Sequence, residues 1–196
     1  MKCAALIFLV MFTVGKQVVA STPEWNVGTI VLHNNEIRVG QIAVESKHSI
    51  VLFKNNDQVE VLPAHRFKSI QYYDVKANVN RKFISLPKEN VYREQSQLFE
   101  VVLNGKVAVL RKLKSIAGKT VSDVDDFEYY FYANHHLIAL RKFRALLYPS
   151  LLHEKGNELR HYIKLERLNP NVSADALLIV DHYNRVVAEQ ICISGR

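Results

Sequence analysis

Aromatic side chains at alternate positions form the best candidate binding surface of this chain. Tyr130 and Tyr132 alternate with Phe127, Tyr129 and Phe131. Successive side chains of a strand point to opposite faces, so the two sets would lie on opposite faces of a sheet. We interpret Phe127, Tyr129 and Phe131 as core. Tyr130 and Tyr132 could then stack on a sugar or a peptide, although plain sheet packing also explains tyrosines in strands.

Basic residues follow these tyrosines. One cluster comprises Arg141, Lys142 and Arg144, and another comprises Arg111, Lys112, Lys114 and Lys119. Such clusters can attract lipid headgroups, acidic polysaccharide or an acidic protein surface. A solvated helix face and a strand edge protected by lysines are the plainer interpretation. The predicted binding residues are therefore Tyr130, Tyr132, Arg141, Lys142 and Arg144, with an envelope protein or a glycan as partner.

The sequence contains no motif of established catalytic chemistry. It lacks the Gly-x-Ser-x-Gly elbow, the Gly-x-Gly-x-x-Gly loop, the Gly-x-x-x-x-Gly-Lys phosphate loop and a Cys-x-x-Cys pair. His153-Glu154 begins like a zinc-protease helix, but no histidine stands four residues after His153. Asp123, Asp125 and Asp126 cluster carboxylates, yet the segment lacks the glycine and bidentate glutamate of a calcium loop. We predict no catalytic residue, metal or cofactor, and expect a non-enzymatic protein.

The first twenty residues have the layout of a secretory signal. Lys2 precedes an apolar run over residues 4–14, and we expect cleavage between Ala20 and Ser21. The run is shorter than the roughly 20 residues that a spanning helix needs, so no transmembrane segment is expected after cleavage. The mature chain should reside in the periplasm, in the cell envelope or outside the cell. That location makes nucleic acid a poor ligand.

Composition is that of an ordinary globular chain. The 196 residues are 48% hydrophobic and 23% charged, with a formal net charge of +7 that is spread along the sequence. Only Cys192 remains if the leader containing Cys3 is removed, so no intramolecular disulfide is expected. The fold must then depend on its hydrophobic core, and Cys192, between two isoleucines, is predicted to be a buried thiol.

Alternating patterns predict an antiparallel meander before position 140. Period-two alternation broken by Asn, Asp and Gly predicts strands at 27–33, 36–45, 49–54, 58–62, 67–75, 81–86, 98–103, 106–113, 127–132 and 136–140. Val59 and Val61 are predicted to point inward. Asn104-Gly105 predicts a type I′ hairpin between two of these strands, because both central residues of that turn need positive φ.

The period then changes to that of a helix. Phe143, Leu146 and Leu147 have helical spacing, residues 159–163 repeat it, and Ser173 is a good N-cap for a further segment. We therefore predict an α+β protein: a strongly bent antiparallel sheet or partial barrel of about 8–10 strands, then a cap of about three helices. The predicted divisions are 1–20 (leader), 21–140 (β domain) and 141–196 (helices packed on the sheet).

Two resemblances accompany this pattern. The chain resembles a group of uncharacterised secreted proteins of Bacteroidota-type bacteria through Gly28, Gly40, Pro63-Ala64, Ser69 to Asp74, Arg81-Lys82-Phe83, Phe99-Glu100-Val101, Asn104-Gly105, Tyr129-Tyr130 and Leu140 to Phe143. This resemblance implies an envelope location and the β-then-α layout, and no activity. Residues 28–42, 59–62 and 69–70 more loosely resemble Sm-like or SH3-like small barrels, without the RNA-contact motifs of that family.

Three functions remain open at this point. A binding module would use the sheet and its unpaired edges. A carrier of an apolar ligand would need a half-open barrel with an apolar cavity, and a hydrolase would need dispersed catalytic groups that converge in a pocket. The absence of catalytic motifs favours the binding module.

Overall fold

The computed structural model describes residues 23–88, 95–114 and 126–194, with side chains described up to Glu189. Ten strands form one open antiparallel sheet, as predicted from the alternation. They are β1 (Asn26–Leu32), β2 (Ile37–Glu45), β3 (Ile50–Asn55), β4 (Gln58–Pro63), β5 (Phe67–Asp74), β6 (Val79–Pro87), β7 (Ser96–Leu103), β8 (Ala108–Leu113), β9 (Phe127–Ala133) and β10 (His136–Ala139). The order across the sheet is β10-β9-β8-β7-β6-β5-β1-β2-β3-β4, so β10 and β4 are its two edges.

Left-handed residues close several of the turns between strands. Asn35, Asn56, Asn78 and Asn134 have φ values between 48° and 67°, and His135 follows Asn134 with φ 64°. Asparagine tolerates this conformation better than other residues with a side chain. These local turns explain why strands that are consecutive in the sequence so often pair in the sheet.

Both hydrophobic cores lie on the same face of the sheet, which we call the inner face. The first core contains Ile30, Ile42, Val51, Phe53, Leu62, Ala64, Phe67, Ile70, Phe83 and Leu98. The second core contains Val107, Val109, Phe131, Phe143, Leu147, Leu151, Leu159, Ala176, Ile179, Val180, Tyr183 and Val187. The first is built by residues of the strands and of a 3₁₀ turn at Ala64–Arg66; the second lies under the C-terminal helices.

Two glycines allow the first core to close. Gly28 and Gly40 are paired across β1 and β2. A Cβ on Gly40 would lie 2.8 Å from the ring of Phe53 and 2.6 Å from a backbone oxygen of Lys54. A Cβ on Gly28 would lie 2.6 Å from the Cβ of Tyr72. Gly40 therefore leaves room for the Phe53 ring, and Gly28 allows close approach of β5.

The C-terminal region forms two α-helices, not the predicted three. They are α1 (Tyr148–Leu165) and α2 (Ser173–Ser194). A 3₁₀ turn at Leu140–Lys142 and a π-helical turn at Phe143–Leu147 lead directly into α1, with Pro149 in its first turn. Proline is tolerated there because first-turn amides have no partner within the helix. The predicted first two helices are therefore one element, with a break at Lys155 (φ −134°, ψ 43°).

Two local predictions are wrong. Val59 and Val61 point to the opposite, outer face of the sheet and are 53% and 57% exposed, because Leu62 is the residue of β4 that enters the core. Asn104 and Gly105 do not form a two-residue hairpin: Leu103 pairs with Val109, and residues 104–107 connect β7 to β8. That connection is held by α2 instead.

Asn184 of α2 holds this connection. Its Oδ1 accepts the Val107 amide at 3.0 Å, and its Nδ2 donates to the Val107 carbonyl at 2.8 Å. Gly105 lies against the same side chain, where a Cβ would come within 2.4 Å of Asn184. Close contact with a helix explains the glycine here, in place of the predicted turn.

Candidate binding site on the outer face

Tyr132 lines a hollow on the outer face of the sheet. Phe127, Tyr129 and Phe131 face inward as predicted, and Tyr130 and Tyr132 point to the outer face, as the register of β9 with β8 requires. The hollow has a volume of about 450 Å³. Its lining residues are Leu86, Pro87, Lys88, Gln97, Phe99, Tyr132, His135 and Leu137. It is thus a largely apolar and aromatic depression whose described lining also includes three nitrogen-bearing side chains, those of Lys88, Gln97 and His135.

The turn between β9 and β10 positions the polar rim of the hollow. Asn134 and His135 form this turn with positive φ at both residues, the geometry of a type I′ hairpin. The Tyr132 hydroxyl lies 3.5 Å from Nδ1 of His135, and their rings meet edge to face at 6.4 Å. The sequence suggested a turn here, but gave no sign that His135 would join the tyrosine.

Tyr130 is engaged in contacts on the same outer face. Its ring meets Phe99 edge to face at 5.6 Å, and the Lys112 ammonium lies 5.4 Å from its centroid. Its hydroxyl donates to Glu128 at 2.7 Å. Burial, then the hydrogen bond to Glu128, raises the Tyr130 pKa, and the same bond lowers the pKa of Glu128. Tyr130 therefore forms a fixed wall beside the hollow.

The predicted basic residues separate in space. Arg141 and Tyr130 both line a shallow cleft of about 370 Å³ that also reaches Ser173 at the start of α2. Arg144 donates to the Asn171 side chain at 2.9 Å, and Lys142 is exposed on the 3₁₀ turn. The structure thus brings Arg141 next to Tyr130, and does not place Lys142 or Arg144 in either depression.

The edge of the sheet runs beside the hollow. Ala133 and His136 flank the two-residue turn, so they face each other through backbone hydrogen bonds. Hydrogen-bonded and non-hydrogen-bonded pairs alternate along an antiparallel ladder. Leu137 and Ala139 are thus at non-hydrogen-bonded positions, and their N–H and C=O groups point away from β9. Among the described residues, no strand pairs with this side of β10.

Four charged residues form a network on the inner face between the two cores. The Arg81 guanidinium donates to Asp74 and to Glu100, each at 2.6 Å, and Arg111 donates to the other oxygen of Glu100 at 2.7 Å. Arg111 also lies over the Phe127 ring at 4.4 Å. A backbone bond from Ala77 and the bond from Arg81 lower the Asp74 pKa. Sequence reasoning assigned Arg111 to a solvated basic stretch and missed this network.

Several predictions lie outside the described residues. These are the leader with its cleavage at Ala20–Ser21, the aspartates Asp123 and Asp125, Lys119 and the side chain of Cys192. Within the described part of the chain, no three His, Cys, Asp or Glu side chains are grouped to hold a metal ion. Neither of the described helices is long and apolar enough to cross a membrane.

No protein family model, no curated protein and no solved structure matches this chain.

Proposed function

We propose that this chain is a non-enzymatic binding module that captures an extended segment of another protein at the edge of β10. One observation carries this proposal. Leu137 contributes its side chain to the hollow and, at the adjacent edge, outward backbone groups that no described strand pairs with. A peptide added at that edge would gain main-chain hydrogen bonds and place every second side chain over the hollow.

The lining of the hollow suggests the chemistry of the ligand. The half-buried Leu137 and Tyr132 offer apolar and aromatic contact to one side chain of the peptide, above the buried Phe99. Lys88 lies on the lining, and Arg141 lies beside Tyr130 in the neighbouring cleft. We therefore expect a segment with a bulky apolar residue flanked by acidic residues.

A hydrolase is less well supported by the described residues. Asp74 and Glu100 are two carboxylates that the sheet brings together, but arginines bind both of them. The lowered pKa of Asp74 makes it a poor proton donor at neutral pH. The hollow contains one histidine and no carboxylate among its described lining residues.

A carrier is also less well supported. Such a protein would hold an apolar ligand between the sheet and the helices, but buried side chains such as Phe131, Phe143 and Ile179 fill that interface. The outer hollow suits a lipid chain poorly, since its lining includes the polar side chains of Lys88, Gln97 and His135.

The test uses a variant that removes one donor from the edge. Ala139 has φ −60° and ψ 139°, which a proline can adopt without strain. Ala139→Pro should therefore leave the fold stable while it removes the outward N–H. A phage-displayed random peptide library panned against the full chain should yield peptides with an apolar residue between acidic ones. We expect the affinity of a selected peptide to fall at least tenfold in both Ala139→Pro and Tyr132→Ala.

The same two variants separate a peptide ligand from a glycan. Tyr132→Phe is the matched control, because it keeps the ring. On an oligosaccharide array, binding that needs Tyr132 but tolerates Ala139→Pro would replace the peptide with a glycan stacked on the aromatic ring. If selected peptides bind both variants as well as the wild type, or no peptide is selected, the edge of β10 is not the binding site.

Export belongs to the same proposal, because an envelope location decides which partners are met. The leader pattern predicts that protein recovered from outside the cytoplasm begins at Ser21. Amino-terminal sequencing or intact mass of the recovered chain tests this point independently of any ligand. Chain that retains Met1 and stays in the cytosol would refute it.

A further inference from the structure

The opposite edge of the sheet has a geometry of its own. Asn55 and Gln58 are paired and flank the two-residue turn Asn56-Asp57, so their backbones face each other through hydrogen bonds. Alternation along the ladder then places Val59 and Val61 at non-hydrogen-bonded positions opposite β3. The N–H and C=O groups of Val59 and Val61 therefore point outward, away from the sheet.

Natural sheets protect such edges with short strands, lysines, prolines or bulges. Strand β4 has six residues, pairs with β3 without a register shift, and has its only proline, Pro63, at its end. Its one charged residue, Glu60, is already paired with Arg38 at 2.8 Å within the chain. Val59 and Val61 are both more than half exposed. Within the described ranges, no strand covers this edge, which is therefore open to pairing with another chain.

We propose that β4 pairs antiparallel with β4 of a second copy of this chain, around a two-fold axis at Glu60. A two-fold axis perpendicular to the sheet keeps the inner faces of both copies on the same side, so residues from the same face must lie opposite each other. Val59 then pairs with Val61 of the second copy, and Val61 with Val59. In both pairs, the backbone N–H and C=O groups point towards the other copy and can form hydrogen bonds with it. The four valine side chains then lie side by side on the outer face in one valine strip.

Charges at the two ends of β4 favour a second copy over an unrelated strand. Asp57 lies on the turn before β4, whereas His65 and Arg66 follow it, and all three are exposed. In the antiparallel pair, Asp57 of each copy approaches the basic end of the other. The two Glu60 carboxylates meet at the axis, but each brings its own Arg38. The edge is thus complementary to itself in shape and in charge.

A cysteine at the axis gives a direct test. In a non-hydrogen-bonded antiparallel pair, opposite Cα atoms are about 4.5 Å apart, within the range for a disulfide. In the full chain carrying Cys3→Ser and Cys192→Ser, Glu60→Cys should form a covalent dimer in glutathione buffer. Gln58→Cys is the matched control on the same strand and face. Its two copies would be about 13 Å apart along the strands, and it should not cross-link.

Sedimentation velocity supplies the second measurement. We expect the wild-type chain to be dimeric at concentrations of 10–100 µM or so, and Val61→Pro to be monomeric because it removes an outward N–H. Circular dichroism checks that the variant is folded; if it is not, the two cysteine variants decide. A monomeric wild type, equal cross-linking at positions 58 and 60, or a folded Val61→Pro that stays dimeric would overturn the proposal. Ala139→Pro should leave the dimer intact, which separates this edge from the peptide site at β10.

Discussion

Removal of the Asn184 side chain should destabilise the fold more than its modest size suggests. The side chain satisfies both backbone groups of Val107 and is only 9% exposed. In Asn184→Ala, the buried N–H and C=O of Val107 lose their partners. Each unsatisfied group costs about 1–3 kcal/mol, and water can reach part of this site, so we expect a loss of about 2–4 kcal/mol. That is a large fraction of the 5–15 kcal/mol typical of a domain.

Urea unfolding followed by circular dichroism measures this loss. Asn157→Ala is the matched control, because Asn157 is exposed on α1 and its replacement should be neutral or slightly stabilising. Native-state hydrogen exchange should show faster exchange of the Val107 amide in Asn184→Ala. The reasoning is refuted if Asn184→Ala unfolds within 0.5 kcal/mol or so of the wild type and the Val107 amide still exchanges slowly.

Three further changes test the inner face and the helical cap. Gly40→Ala should lower the free energy of unfolding by about 1–3 kcal/mol, because the added methyl group overpacks against Phe53. The loss is measured as a lower urea midpoint, and the control Gly156→Ala should show no such loss. Glu100→Ala should cost about 2–3 kcal/mol because it leaves two partly buried arginines without their shared carboxylate, so a calorimetric melting temperature equal to wild type would contradict it. Hydrogen bonds from Lys106 and Tyr183 lower the Glu154 pKa below its ordinary value of 4.5. The ionised Glu154 carboxylate therefore stabilises the folded state above pH 4.5, and this contribution is lost as the pH falls through the lower pKa of the folded state. Glu154→Gln should therefore have a lower melting temperature than the wild type at neutral pH and the same melting temperature at about pH 2. If the difference in melting temperature is the same at both pH values, the charge of Glu154 is not its cause.

The local pattern was sufficient to predict the strands of this chain. Alternation placed all ten within about two residues of their bounds, because turn residues such as Asn35 and Asn134 are specified by their own neighbours. The inward position of Phe131 was predictable for the same reason. Each of these features depends on residues that are close in sequence.

Features set by distant residues could not be predicted in this way. The role of Gly105 depends on Asn184, and Asn-Gly alone favoured a different turn. Val59 alternates like a core residue but lies on the exposed outer face of an edge strand. Arg111 is equally plausible as a solvated residue until Glu100 is known to lie on the neighbouring strand. The one available hint was that charged residues recur at inward positions of successive strands.

The distribution of the cores explains why both proposed contacts use the edges of the sheet. The inner face is occupied by two cores with the Arg81–Glu100 network between them, so its polar groups already have partners within the chain. Among the described residues, outward backbone groups of β4 and β10 have no partner strand; at β4 they lie beside the exposed Val59 and Val61, and at β10 beside the half-buried Leu137. Backbone pairing gives affinity at such an edge, and the adjacent side chains give specificity. The exposed valines of β4 suit pairing with an identical strand, whereas the hollow at β10 suits a ligand with one large side chain.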